Sequence, residues 1–284
     1  MKLVGLMPVR NEAWCLRFSL RVALAWCDHV IVSDHGSTDE SRVIAEDLAL
    51  DGHPLTIRDF RETEWREMQQ RQELLEEARL IGATHVAIVD ADEVLTCNLL
   101  ENIRPLVEGM ARGTLLELPG YNLRGRIDRY HTTGTWGNRW FSVAFVDDPR
   151  LHWSGDRFHS RQPEGMQMPA SRPIPQGYGG VLHLWGASER RLIAKHALYK
   201  VTERLRWPDK PIQRIDEYYN QAIHGSRGDP AFAWRFGEVP AEWLGEAREL
   251  VTVDAVPWQE AEVRRLVAEN GRHTFQGLNL FGLV

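Results

Sequence analysis

Short apolar runs alternate with longer amphipathic stretches over the first 120 residues. Leu3 to Met7 is apolar and stops at Pro8, which predicts a first strand. Glu12 to Trp26 has the length and apolar content of a helix, and His29 to Asp34 is a second strand-like run. Ser37-Thr38-Asp39-Glu40 reads as a helix start, a hydroxyl cap with an acid three residues on. Leu55 to Arg58 predicts a third strand, followed by a charged helix from about Glu64 to Ile81. The run from Val86 to Val89 ends in Asp90, Asp92 and Glu93 and then turns apolar again at Val94-Leu95. A helix near Leu99 to Met110 and a strand at Leu115 to Leu118 complete this half. The β-α order implies an α/β, Rossmann-like, mostly parallel sheet flanked by helices. In such sheets ligands bind beyond the carboxyl ends of the strands, where Asp34 and Asp90 fall.

The pattern changes after residue 120. Aromatic residues and glycines crowd Tyr121 to Trp153 and predict antiparallel strands and loops. Residues 163–180 are rich in proline and glycine, as expected of a mobile loop or lid. Val181 to Trp185 is strand-like again, and Ser188 is placed to cap a helix running to about Arg206. The remainder carries helical stretches at Glu242 to Leu250 and Gln259 to Asn270. The expected organisation is a catalytic domain over 1–206, with a ligand-binding half at 1–120 and an acceptor half at 121–206. A mainly helical extension follows over 207–284.

Composition narrows the classes. A hydrophobic content of 43% and a charged content of 26% suit a globular protein with a full core. The net charge of -6 argues against a broad basic face for nucleic acid. Three cysteines without a Cys-x-x-Cys spacing suit a reducing cytoplasm. The amino terminus lacks the form of a signal peptide, and no apolar stretch approaches the ~20 residues of a membrane span.

Three carboxylates at the end of an apolar strand are costly unless a cation offsets them. Asp90 and Asp92 project to one side if the backbone stays extended. A divalent metal carrying a phosphorylated ligand would satisfy both. Arg71 shares a helix face with Met68, Leu75 and Ala78; an arginine on an apolar face favours a buried anion such as a diphosphate, the alternative being a pair with Glu67. His183 stands out among eleven histidines because it lies in an apolar run. It is either a metal ligand or a core histidine bonded to backbone. Eleven tryptophans are many for this length; of Trp136, Trp140, Trp153 and Trp185, one or two are expected to line a cleft and the rest to fill cores.

The order of Pro8-Val9-Arg10-Asn11-Glu12, Asp34-His35-Gly36-Ser37-Thr38-Asp39, Gln70-Arg71-Gln72 and Asp90-Ala91-Asp92-Glu93 resembles the family 2 glycosyltransferases. The resemblance covers roughly the first 120 residues. It implies the type A glycosyltransferase fold and a nucleotide-diphosphate sugar donor. Pro8 and Arg10 would line the base and ribose pocket, with Glu12 nearby. Asp34 would reach the nucleoside, Asp90 the ribose, and Asp92, across Ala91, a Mn2+ or Mg2+ ion bridging the diphosphate. A C-terminal histidine often completes that metal site, and His183 matches by context. His159 is a second candidate. Members using uridine diphosphate donors often have a second Asp where this chain has His35; a UDP-sugar is the expected donor, with the base left open. The reaction would be displacement at the anomeric carbon, expected to be inverting, with Asp156 as candidate general base on a Gly-Asp turn; its other reading is a simple turn-former.

Two other classes compete. A phosphoryl-transfer enzyme with an aspartyl nucleophile also uses Asp-x-Asp after a strand, but usually the first strand. A non-catalytic nucleotide- or carbohydrate-binding module explains a pocket but gives the clustered acids no need of a metal. A nucleotidyltransferase would show a glycine-rich basic loop where this chain has Pro8-Val9-Arg10-Asn11. The acceptor stays open among glycan, lipid carrier, protein, small molecule and modified nucleobase.

Overall fold

The structure, a computed structural model, describes residues 1–62, 64–155, 157, 160–166, 169–224, 234–250 and 256–284. Its centre is an eight-stranded mixed sheet in the order β3-β2-β1-β4-β8-β6-β9-β5. The first four neighbours, β3 (Leu55–Asp59), β2 (His29–Asp34), β1 (Leu3–Val9) and β4 (His85–Ile88), are parallel. Strand β8 (Arg139–Val146) joins β4 antiparallel and pairs with β6 (Leu115–Asn122), while β9 (Val181–His183) pairs antiparallel with β5 (Glu93–Leu95). Chain order reverses direction across the sheet at β1, whose neighbours are β2 on one side and β4 on the other. Such a switch point opens a crevice at the strand ends.

The predicted elements recur with informative differences. Strand β1 runs through Pro8 to Val9 rather than stopping at Met7. Leu6 O accepts from Val89 on the β4 side and Val9 O from His35 on the β2 side, so Pro8 faces β4. Pairing with β4 has ended by then, at Leu6–Ile88, and the missing N–H removes no ladder bond. The helix α1 (Ala13–Trp26) is as expected, but α2 begins at Ser41 (Ser41–Leu50), four residues after the predicted hydroxyl cap. Asp39 Oδ1 accepts from Ser41 N at 2.9 Å, while Ser37 is committed to the neighbouring loop. The third helix, α3 (Glu67–Leu80), buries Met68, Leu74, Leu75 and Ala78 against Val4, Leu6, Ile31, Val86, Ile88 and Phe145. The acid-bearing run is not one extended strand: β4 ends at Ile88, a turn closes with Glu93 N donating to Asp90 O at 3.0 Å, and β5 starts at Glu93. A six-residue α4 (Ile103–Glu108) replaces the longer helix expected there.

Two compact units are built from interleaved stretches of chain rather than from consecutive ones. One comprises Met1–Gly120, Arg139–His183 and Pro240–Leu250, and contains the large sheet. Within it lies the short α7 (Ala241–Leu244). The other comprises Tyr121–Asn138, Leu184–Val239 and Val251–Val284. It holds a two-stranded pair, β7 (Arg129–His131) with β10 (Phe236–Glu238), and the helices α5 (Glu189–Arg206), α6 (Ile212–His224) and α8 (Trp258–Asn270). Ser188 caps α5 as its sequence predicts, accepting from Arg191 N at 3.3 Å. Helix α6 lies outside the stretches expected to be helical, although its apolar Ile215, Tyr219, Ala222 and Ile223 recur at helical spacing and are buried. Among the described residues no helix is long and apolar enough to cross a membrane.

Candidate active site

The site is built at the carboxyl ends of β1, β2 and β4 in the sheet-bearing unit. Val9 pairs with Asp34 in register, and Ile88 with Leu6, so Asp34 and the turn after β4 flank β1. Two strand spacings, about 10 Å, separate the ends of β2 and β4.

Hydrogen bonds between backbone N–H groups and short polar side chains lace the first two loops together. Asn11, buried and in a left-handed conformation at φ 56°, accepts from Thr38 N at 2.6 Å and Asp39 N at 3.2 Å through its side-chain oxygen. In return Ser37 Oγ accepts from Asn11 N at 2.9 Å, Ser41 Oγ from Glu12 N at 2.8 Å and Asp39 Oδ2 from Ala13 N at 3.1 Å. Asparagine tolerates that backbone better than other non-glycine residues. This lacing holds open a cleft of about 500 Å³ lined by Arg10, Asp34, His35, Gly36, Asp59, Phe60, Arg61 and Glu62. Asp34 Oδ1 accepts from Ser37 N at 3.1 Å. His35 Nε2 lies 2.7 Å from Glu62 O, and the ring meets Phe60 edge-on at 5.1 Å. Since a carbonyl only accepts, Nε2 carries the proton. Burial holds the His35 imidazole below its ordinary pKa, so it is neutral at pH 7.

Charge holds the second half. The turn sends Asp90 and Asp92 to different partners. Arg71 Nη2 donates to both Asp90 oxygens at 3.1 and 3.3 Å, and its Nε to Glu67 Oε1 at 3.2 Å. Arg161 Nη1 donates to Asp90 Oδ2 at 2.7 Å and to Glu93 Oε1 at 2.6 Å. Burial opposes ionisation of Asp90, but Arg71 and Arg161 outweigh it and hold the carboxyl below the usual range. For Glu93 burial wins over the pull of Arg161 and pushes the carboxyl up to about 8. Asp92 Oδ2 lies 3.7 Å from His183 Nε2, which also stands 3.9 Å from Glu93 Oε1. The β5–β9 ladder sets this pairing, since Glu93 is opposite His183.

Of the residues singled out from sequence, Arg10, Asp34 and His35 meet in the cleft. Asp92, in the turn after β4, and His183, on β9, face each other, and Asp90 and Arg71 bind one another. The buried anion expected for Arg71 is thus internal, Glu67 and Asp90. Glu12 accepts from Trp14 Nε1 at 2.6 Å, and Ala91 O accepts from the Cys15 thiol at 3.3 Å, so both help to set the loops. Pro8 lies within β1. Asp156 and His159 lie outside the described residues. Within the loop at 163–180, Ser171 exchanges backbone bonds with Leu115 and Glu117 at 2.7 and 2.9 Å. Trp153 is core, its Nε1 donating to Ser160 O at 3.2 Å; Trp140 lies under Arg172 at 4.8 Å, and Trp136 meets Trp185 edge-on at 5.4 Å. The pair with Glu67 weighed for Arg71 from sequence forms, at 3.2 Å. Sequence reasoning gave Asn11 no role of its own and missed Arg161, which had no signal, seventy-one residues from Asp90.

Among the described residues no three His, Cys, Asp or Glu side chains form a complete metal-ligand group. The donor set of Asp92 and His183 nevertheless fits a partial one, a carboxylate oxygen and an imidazole nitrogen close enough to share an ion whose other positions a diphosphate and water would fill.

The sequence profile described as Glycosyl transferase family 2 matches residues 6–158, just over half of the chain. Similar solved structures include S. aureus TarS 1–349, 13% identical over 97% of this chain and 90% of that one, with a TM-score of 0.44. Another is the mannosyltransferase PcManGT from Pyrobaculum calidifontis in complex with GDP-Man and Mn2+, 15% identical over 95% and 86%, with a TM-score of 0.38. The chain, a helix-flanked mixed sheet over the matched residues, belongs to glycosyl transferase family 2.

Proposed function

We propose that this protein transfers a sugar from a nucleoside diphosphate sugar to an acceptor hydroxyl, with a divalent cation held by Asp92 and His183. The observation that carries the reading is the cleft at the ends of β1 and β2, where a cation, a carboxylate and a neutral imidazole converge as Arg10, Asp34 and His35. Family membership supplies the reaction class. In this reading the cleft takes the nucleoside, and Asp34, one oxygen already fixed by Ser37, accepts from a ribose hydroxyl or a base N–H with the other. Nδ1 of His35 is the acceptor nitrogen in the tautomer set by Glu62 O. Arg10 offsets phosphate charge. When bound, the cation would act as a Lewis acid on the leaving diphosphate. Asp156 is the proposed base for an inverting outcome, and a uridine diphosphate sugar the proposed donor.

Hydrolysis of a panel of nucleotide sugars without acceptor, with and without Mn2+, tests this. Release of nucleoside diphosphate that depends on Mn2+ is the expected result. If no donor is cleaved, and no nucleoside diphosphate raises the melting temperature with the metal present, the reading fails.

A further inference from the structure

Arg161 comes from a loop remote in sequence from the acid turn, yet its side chain is only 17% exposed and every hydrogen bond it makes ends at that turn or at the adjacent strand. Nη1 is shared between Asp90 and Glu93, Nη2 donates to Ile88 O at 3.2 Å and Ser142 O at 3.1 Å, and Nε to Ser142 O at 3.3 Å. Phe141 lies beneath the guanidinium at 5.4 Å, and the same ring meets His183 edge-on at 5.5 Å. All of these groups belong to the sheet-bearing unit. A planar fork used in this way fixes positions and not only charge.

We propose that Arg161 is the positioning residue of the acid cluster: it holds Asp90 and Glu93 out of cation coordination, so that the ion is taken through Asp92 and His183. The inference rests on the proposed metal-assisted reading. Its physical basis is competition for the same oxygens. Asp90 accepts three guanidinium bonds from Arg71 and Arg161, and a cation at that carboxylate would sit against two fixed positive charges. Asp92, two residues on, is turned toward His183 instead. The two acids of an Asp-x-Asp motif thereby take different work, one anchoring an internal cation and the other offered to an external one. Arg161 enforces the division.

The test is Mn2+ binding to the protein without donor, followed by the electron paramagnetic resonance signal of free Mn2+. Removing one positive charge beside the site, in Arg161→Gln, is expected to tighten Mn2+ binding about tenfold, a change of ~1.4 kcal/mol. Adding Asp90→Asn to that variant should cancel the gain, whereas Asp90→Asn alone should leave wild-type affinity within about twofold. Should Arg161→Gln fail to fold, Arg161→Lys carries the comparison: a lysine keeps the charge but cannot span both acids and both carbonyls, and a two- to threefold gain is expected. A purely structural arginine would change the melting temperature and leave the Mn2+ constant alone. Wild-type Mn2+ binding with no gain in the folded variants overturns the role of Arg161 and leaves the metal reading standing. Binding that appears only in the variants shows Arg161 excluding the cation altogether, which overturns both the division of roles and the metal in the wild-type enzyme. If neither binds, both are overturned.

Discussion

Each of the two units has a buried ionic cluster, and they are composed differently. In the unit with α5, α6 and α8, Lys200 is fully buried and donates to Asp216 Oδ1 at 2.8 Å, Asn220 Oδ1 at 2.7 Å and Asn279 O at 2.7 Å, with the Phe281 ring 4.2 Å away. One cation meets one carboxylate, and the three ammonium hydrogens meet three acceptors. In the sheet-bearing unit, Arg71 is shared by Glu67 and Asp90, and Arg161 by Asp90 and Glu93, so that among the described residues three carboxyl groups meet two guanidinium groups, while Asp92 faces His183. The first cluster is complete as it stands and joins α5 to α6 and to the chain near Asn279. The second carries surplus carboxyl groups, which is the condition for taking up a cation. Surplus charge, rather than burial of charge, separates a site from a strut.

The contrast can be broken first at Lys200. Lys200→Met leaves the half-buried Asp216 without its cation, and a loss of about 3 kcal/mol is expected, measured by urea denaturation. Nucleoside diphosphate binding should be unchanged in whatever fraction stays folded. An equally stable Lys200→Met protein would make that cluster as incomplete as the other. Asp92→Ala should do the opposite. Removing Asp92 relieves its repulsion of Asp90 and Glu93, so the melting temperature should hold or rise while Mn2+-dependent donor affinity drops about a hundredfold, ~2.7 kcal/mol. Calorimetric titration with UDP and Mn2+ measures it, and an unchanged constant would place the cation elsewhere.

The smallest expected effect concerns His196, a buried group in the helical unit with no carboxylate beside it among the described residues. Its Nδ1 donates to Leu192 O at 2.9 Å, and Trp185 stacks on the ring at 5.2 Å. Burial lowers its pKa from an ordinary 6.5 to about 3. The folded state therefore binds fewer protons than the unfolded one between those values. Its contribution is fully present above pH 6.5 and is lost as pH falls toward 3, by at most about 1.4 kcal/mol per pH unit. Melting temperatures of wild type and His196→Phe between pH 7 and pH 5 measure this, and parallel curves would show that His196 does not titrate on unfolding.

Much of this molecule was legible in one dimension. The near-continuous apolar runs of β1, β2 and β4 belong to strands covered on both faces, so their composition names them without knowledge of their neighbours. The α1 and α3 faces, the α5 cap and the strand-end position of Asp34 rest on local periodicity and short-range hydrogen bonds, which sequence carries directly. Ser37 was misassigned because a hydroxyl serves a neighbouring loop as readily as its own helix. Asp90 and Asp92 share one face only if the backbone stays extended, and a turn closed by Glu93 N and Asp90 O removes that condition.

The sequence by itself determined which groups are present and which strand ends carry them: the parallel half of the sheet, the two acid-bearing ends and the apolar setting that makes their charge expensive. Tertiary structure alone decided how that charge is answered. Arg161, from the chain between β8 and β9, reaches Asp90 and Glu93, and His183, on β9, reaches Asp92, because β8 and β9 fold back beside β4 and β5. Electrostatic energy depends on separation in space and on the surrounding dielectric, and neither is written in the order of residues along the chain.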